Sequence, residues 1–362
     1  MAYQNVSTPR FYVSILQYLK HFGLLTMTSE DTVQYISNKE PLSLVDVNPS
    51  SQAIINVGGD GSQGGDLPIV YRLNDGLSFQ NIMPSDQNFF MTLGHKFAEG
   101  VSDGHVKCYG RTGSYGTINV ATTGVINFND AKEADYNGFS ISKGNDAQYL
   151  DEQIQIFISQ YKTGFDYPIG CFLYGTYYDM TSSPNLSLKM SREYGNTDEQ
   201  VTHNGSSFIN QAWLKPPNWG EAGAWEIYNN TATGNSAWIN TDKDLSRSGR
   251  KSWDLKFSYI DDSDIFGSNQ SISNLNIVDT NYDSGDITNA GDFEFNLLTD
   301  NSFFSQVWNK TLGGTLPFVF QPDNSNNNPD QFAVCRFVGD SLKVNQTAFN
   351  VYDISLKIEE VW

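Results

Sequence analysis

The chain has 362 residues and a formal net charge of −19, from 41 Asp and Glu against 22 Lys and Arg. That balance argues against a phosphate-binding surface, which needs clustered cations, and leaves two uses for the charge: solubility in a salty medium, or a negative wall past which DNA slides without sticking. No run of about 18 apolar residues occurs, which excludes a membrane-spanning helix.

Aromatic residues make up 14% of the chain, and its 31 glycines sit among short Asn, Asp and Ser runs. Flat rings pack well on pleated surfaces, so this composition predicts an all-β protein with few short helices and many turns. The first predicted element is nonetheless a helix. Ser7-Thr8-Pro9 offers a cap and a first-turn proline, Phe11, Ile15, Leu19 and Phe22 recur at helical spacing, and Gly23 stops the run. Such a helix docks on a sheet or on a neighbouring subunit. Residues 26–66 read as loop. Their Gly58-Gly59-Asp60-Gly61 run lacks the Lys and following helix of a phosphate loop.

From 67 onward strands follow one another. They are centred on Phe89–Leu93, on 117–128, on the alternating Ile154, Ile156 and Ile158, and on 171–178. Strands without intervening helices predict an antiparallel sandwich over 67–182. A new texture begins near 185 with Leu186, Leu188 and Met190 and then the Trp-rich stretch of Trp213, Trp219, Trp225 and Trp238. Trp253, Leu255, Phe257 and Tyr259 alternate with Asp254, Lys256 and Ser258 in a long strand. Segment 261–292 is polar and long for a loop, which suggests an exposed arm. A second helix is predicted at 300–310, stopped by Gly313-Gly314, and two strands close the chain. The last carries Tyr352, Ile354, Leu356 and Ile358 on one face and runs to Trp362, so this end is expected to be tied into a sheet. The segments expected from this reading are 1–66, 67–182 and 183–362.

Chemical motifs are sparse. The cysteines Cys108, Cys171 and Cys335 are odd in number and far apart, so neither a disulfide framework nor a zinc site is expected. None of His21, His95, His105 and His203 stands in metal-ligating spacing, and a nucleophile elbow is absent. The best metal candidate is a calcium-like Asp279, Asn281, Asp283 series. Its Gly285 comes one residue late and Ala290 stands where a glutamate belongs, so a solvated turn is the plainer reading. No cofactor and no catalytic residue is expected, and the chain is not read as an enzyme. The tryptophans Trp213, Trp219 and Trp225 could face a glycan, anchor an interface or fill a core; sequence leaves these open. The opening MAYQNVSTPR has no signal-peptide pattern, which suggests folding in a reducing cytoplasm.

One resemblance emerges in the C-terminal half. The stretch from Arg247 and Gly249 through Arg250, Trp253, Leu255 and Phe257 resembles a strand opening of tailed-phage tail proteins, R-x-G-R-x-x-W-x-L-x-F. Leu316-Pro317-Phe318-Val319-Phe320, Ala333-Val334-Cys335-Arg336-Phe337 and the closing Tyr352 to Trp362 continue the pattern. Over about 185–362 the chain is similar to minor tail and distal-tail (baseplate) proteins of long-tailed phages. The resemblance implies a tail-tube-like β-barrel or sandwich domain at 183–362 that forms a homo-oligomeric ring, commonly a hexamer, around the tail channel. It implies a jelly-roll-like domain at 67–182 that docks other tail proteins or host surface glycan. DNA would pass through without being bound, and the protein would reside in the virion tail after assembly in the host cytoplasm. Trp253, Phe257, Phe318, Tyr352 and Trp362 are then the interface candidates. A carbohydrate-binding fibre module, or a collar or head-decoration protein, is the alternative.

Overall fold

The computed structural model describes residues 7–27, 36–49, 51–56, 67–74, 76–84, 87–95, 105–111, 125–127, 139–144, 153–159, 166–193, 197–211, 250–266, 298–327, 331–339 and 341–361. The described residues form mostly antiparallel sheet with three short α-helices, which is the all-β class the composition predicts. Strands are numbered in chain order. A ten-stranded sheet runs β13 (Lys189–Glu193), β16 (Arg250–Asp261), β20 (Val351–Glu360), β18 (Ala333–Phe337), β17 (Phe318–Gln321), β1 (Arg10–Ser14), β12 (Cys171–Asp179), β6 (Asn88–Leu93) and β9 (Phe139–Gly144), and β19 (Lys343–Ala348) also pairs with β20. A five-stranded sheet takes β2 (Leu25–Met27), β5 (Leu67–Leu73), β10 (Gln153–Ser159), β7 (His105–Arg111) and β8 (Val125–Asn127). β11 (Asp166–Ile169), β4 (Ala53–Asn56) and β3 (Ile36–Ser37) form a third sheet, and β14 (Thr197–Val201) with β15 (Ser207–Gln211) a hairpin.

The predicted N-terminal helix begins later than its spacing suggests. Residues Arg10–Ser14 are a strand, and only Ile15–His21 (α1) is helical. The reason is tertiary. Phe11 and Val13 enter one core while Tyr12 enters the core on the opposite face, as strand alternation requires. β1 is bonded on both sides, to β12 and to β17, so partners distant in sequence override the four-residue spacing. Gly23, at φ 69°, ends α1 where its N–H reaches the Lys20 carbonyl at 2.9 Å. Residues 26–66, read as loop, contribute β3, β4 and a 3-10 turn at Pro41–Val45. The second predicted helix is a π-helical turn, Phe304–Asn309, and Gly313 and Gly314 follow it at φ 67° and 89°.

The large sheet joins strands from all three expected segments: β1 from the first, β6, β9 and β12 from the second, the rest from the third. Strands from the three expected segments therefore share one sheet. On β12, Phe172 and Tyr174 point into the core shared with α1 and the five-stranded sheet, and Tyr178 into the C-terminal core. Cys171 and Leu173 point to the opposite face. At roughly 25 cal/mol per Å² of apolar surface, a double-faced aromatic strand of this kind is a main source of stability.

Candidate functional site

Four of the aromatic interface candidates lie inside the protein. Phe257, Phe318 and Tyr352 are fully buried and Trp253 nearly so, all in the C-terminal core. Their rings pack on neighbours of the same chain: Trp253 lies 5.2 Å from Phe320, Phe318 4.7 Å from Phe337, and Tyr352 5.8 Å from Phe266. They occupy the inward half of the alternation, so their side chains build the protomer and offer nothing to a partner. Trp362, the tryptophans Trp213, Trp219, Trp225 and Trp238, and the calcium-like Asp279, Asn281 and Asp283 lie outside the described residues.

Burial pushes the reactive side chains toward their neutral forms. It raises the Cys171 thiol to about 12, raises Cys335 well above the usual thiol range and lowers His95 to about 3. Burial also lowers Lys310 to about 7. The Lys310 ammonium donates to Gln306 Oε1 at 2.6 Å, and the Thr176 hydroxyl donates to the same oxygen at 2.9 Å. This network ties the π-helical turn to β12. No group of three or more His, Cys, Asp or Glu suited to a metal occurs among the described residues. No helix among them is long and apolar enough to cross a membrane.

The chemically distinctive surface lies at the β13 end of the large sheet. All five residues of β13 are exposed, and among the described residues the strand forms the sheet's margin. Three residues further on, the hairpin of β14 and β15 carries Val201, Phe208 and Ile209 at 67%, 66% and 65% exposure. By register Val201 and Ile209 share one face and Phe208 takes the other, so each side of an otherwise polar ribbon carries an exposed apolar side chain. Leu186 and Met190, at 81% and 56%, are exposed apolar residues before and within β13.

The outward half of the alternation on β13, β16, β20 and β19 builds a groove of about 440 Å³. Pairing places Lys189 beside Asp254 and Asp254 beside Lys357; one step along, Lys256 and Lys343 flank Ser355 from either side. With strands about 4.8 Å apart, the lysines of each row stand roughly 10 Å from one another at the backbone. Four lysines thus line the groove against one carboxylate, Asp254, in a chain whose acids outnumber its bases 41 to 22. Lys256 also lies 3.6 Å from Asp353.

Sequence reading found neither hairpin nor groove. The alternation marked Asp254, Lys256 and Lys357 as outward residues, but the groove needs the pairing of four strands. Comparison with protein-family models, with curated proteins and with solved structures finds no match to this chain.

Proposed function

We propose that this chain is a structural subunit that acts by associating with copies of itself, as a ring component of a tailed phage at the distal tail or baseplate. The observation that carries the association is the β14–β15 hairpin, with Val201, Phe208 and Ile209 exposed on its two faces. An isolated two-stranded ribbon is marginal in water, and large apolar side chains on both sides are suited to burial against a second surface. β13, which precedes the hairpin in the chain and is exposed along its whole length, is a further surface for contact between subunits.

The placement in a phage tail is supported by the strand pattern from Arg247 to Trp362. The net charge of −19 agrees with it, since an acidic wall lets DNA pass without sticking. In this reading β16 to β20 belong to a tail-tube-like ring domain and the strands of 67–182 to a jelly-roll-like domain that docks further tail proteins. Light scattering and negative-stain microscopy of the purified chain test it. A closed oligomer with a central opening is expected, and Phe208→Ser with Ile209→Ser should shift it toward monomer. A chain that stays monomeric at high concentration would overturn the reading.

A further inference from the structure

The groove and the far end of the strands that build it carry opposite characters. Beyond a bulge on β16, Tyr259 is 81% exposed, and so is Phe349 in the turn between β19 and β20. This turn abuts the end of β16: the Asp262 N–H donates to the Asn350 carbonyl at 3.0 Å, and Asp261 pairs with Val351. Asp261, Asp262 and Asp264 follow within four residues, with Asp261 exposed and the other two half-buried. The tip therefore presents two exposed rings beside the exposed Asp261 and the half-buried Asp262 and Asp264. The groove presents four lysines, with Val338, at 39% exposure, among the residues that line it. From Lys256 to Asp261 is five residues of strand, or roughly 17 Å, so one copy's tip cannot fold back into its own groove.

We propose that the lysine groove is a docking site for the acidic, aromatic tip of a second copy of this chain. Two bodies that each carry −19 repel over most of their surfaces and can meet closely only where the local sign reverses. The groove supplies that reversal, and the exposed Val338 in its lining offers an apolar contact for Tyr259 or Phe349. Groove and tip are different patches, so the contact is heterologous: each copy uses both, and the series closes into a ring or runs on as a filament. The proposal rests on the self-association reading and names one contact within it.

A charge swap tests it, read by sedimentation velocity across a concentration series, with circular dichroism as a check on folding. The groove variant Lys343→Glu with Lys357→Glu and the tip variant Asp261→Lys with Asp264→Lys should each weaken self-association by about tenfold or more. The variant carrying all four changes should recover most of the loss, because the attraction is restored with its signs exchanged. Phe349→Ser, which leaves every charge in place, should weaken association by a smaller factor. Wild-type protein that assembles while both reversals assemble equally well would overturn this contact and leave the association reading standing. Folded single reversals that fail to assemble, with no recovery in the fourfold variant, would also overturn it. A wild type that never assembles would overturn both.

Discussion

Arg10 and Asp179, the first register pair of β1 and β12, close a two-bonded ion pair at 2.6 Å and 2.7 Å. The guanidinium also lies 4.4 Å from the Tyr177 ring, and Asn324 donates to the same carboxylate at 3.2 Å. Burial is the largest influence on Arg10 and would lower its pKa; the hydrogen bonds to Asp179 and Tyr12, with the charges of the same two groups, together outweigh it and hold the guanidinium above its ordinary value. One ion pair thus fixes the N-terminal strand between two partners that follow it by 150 residues or more, in the middle of the large sheet.

Removing that pair should be felt in the whole protein. Arg10→Met leaves Asp179 without its bidentate partner. The carboxylate is 29% exposed, which puts the cost below that of a deeply buried pair, at about 2 kcal/mol. Arg10→Lys should recover less than half, because an ammonium makes neither the fork nor the stack on Tyr177. Urea unfolding midpoints of the three proteins check this; equal midpoints for Lys and Arg would show that charge alone matters.

Gly175 governs how closely β1 and β12 approach. A Cβ there would lie 1.9 Å from the Val13 carbonyl oxygen, and the obstacle is backbone that cannot rotate away. Gly175→Ala should cost about 3 kcal/mol, at the upper end of overpacking. Gly76→Ala is the comparison: its φ is 68° but nothing lies within 4 Å, so only backbone strain of about 1 kcal/mol is expected. Thermal melts of the two variants should separate clearly, with Gly175→Ala the lower.

The same close approach explains what could be read in the sequence. In β16 and β20 the alternation identified strand and inward face for Trp253, Leu255 and Phe257, but the bulge after Phe257 leaves Tyr259, expected on the same face, 81% exposed, and β20 ends at Glu360, short of the expected Trp362. In β1 the run Phe11-Tyr12-Val13 fits a strand, yet Phe11, Ile15 and Leu19 also fit a helix. The choice is made by Thr176 to Asp179 and Val319 to Gln321, which no local pattern connects to it. Trp253, Phe257, Phe318 and Tyr352, expected at an interface, lie in the core for a related reason. Aromatic content and inward alternation are the same for a core and for an obligate interface, and only the neighbouring strands decide which one forms. The lysine groove was illegible because Lys189, Lys256, Lys343 and Lys357 become neighbours only through pairing.

Lys310 gives a pH-dependent signature of its own. Its pKa in the folded chain, about 7, lies below the ordinary 10.5. Below pH 7 the amine is charged in both states, and folding bears the full burial cost. Between about 7 and 10.5 the unfolded chain holds the extra proton, so stability from this group rises with pH. Lys310→Met keeps the length and removes the charge, while Gln306 Oε1 keeps the Thr176 donor. The variant should be more stable than wild type by about 1–2 kcal/mol at pH 6.5, with the gap shrinking toward pH 9. His95 does not confuse the comparison: lowered to about 3 by burial, it supports stability that is lost only as pH falls below 6.5. Denaturant titrations at several pH values check the sign; a constant gap would mean that Lys310 does not titrate in this window.

The closing strand bears the heaviest structural duty in the C-terminal half. β20 pairs with β16 along one edge and with β18 and β19 along the other, and its inward residues Tyr352, Ile354, Leu356 and Ile358 are all buried. Without it β19 has no partner strand among the described residues, and β16 keeps only the exposed margin strand β13. Ending the chain at Val351 should therefore abolish folding of this half, not trim an edge. Ile358→Ala, a milder cut at a fully buried site, should cost about 2–4 kcal/mol while retaining the fold. Solubility and near-ultraviolet circular dichroism separate the two outcomes. A soluble truncation that keeps native aromatic signals would mean that β16, β17 and β18 hold together without the strand that joins them.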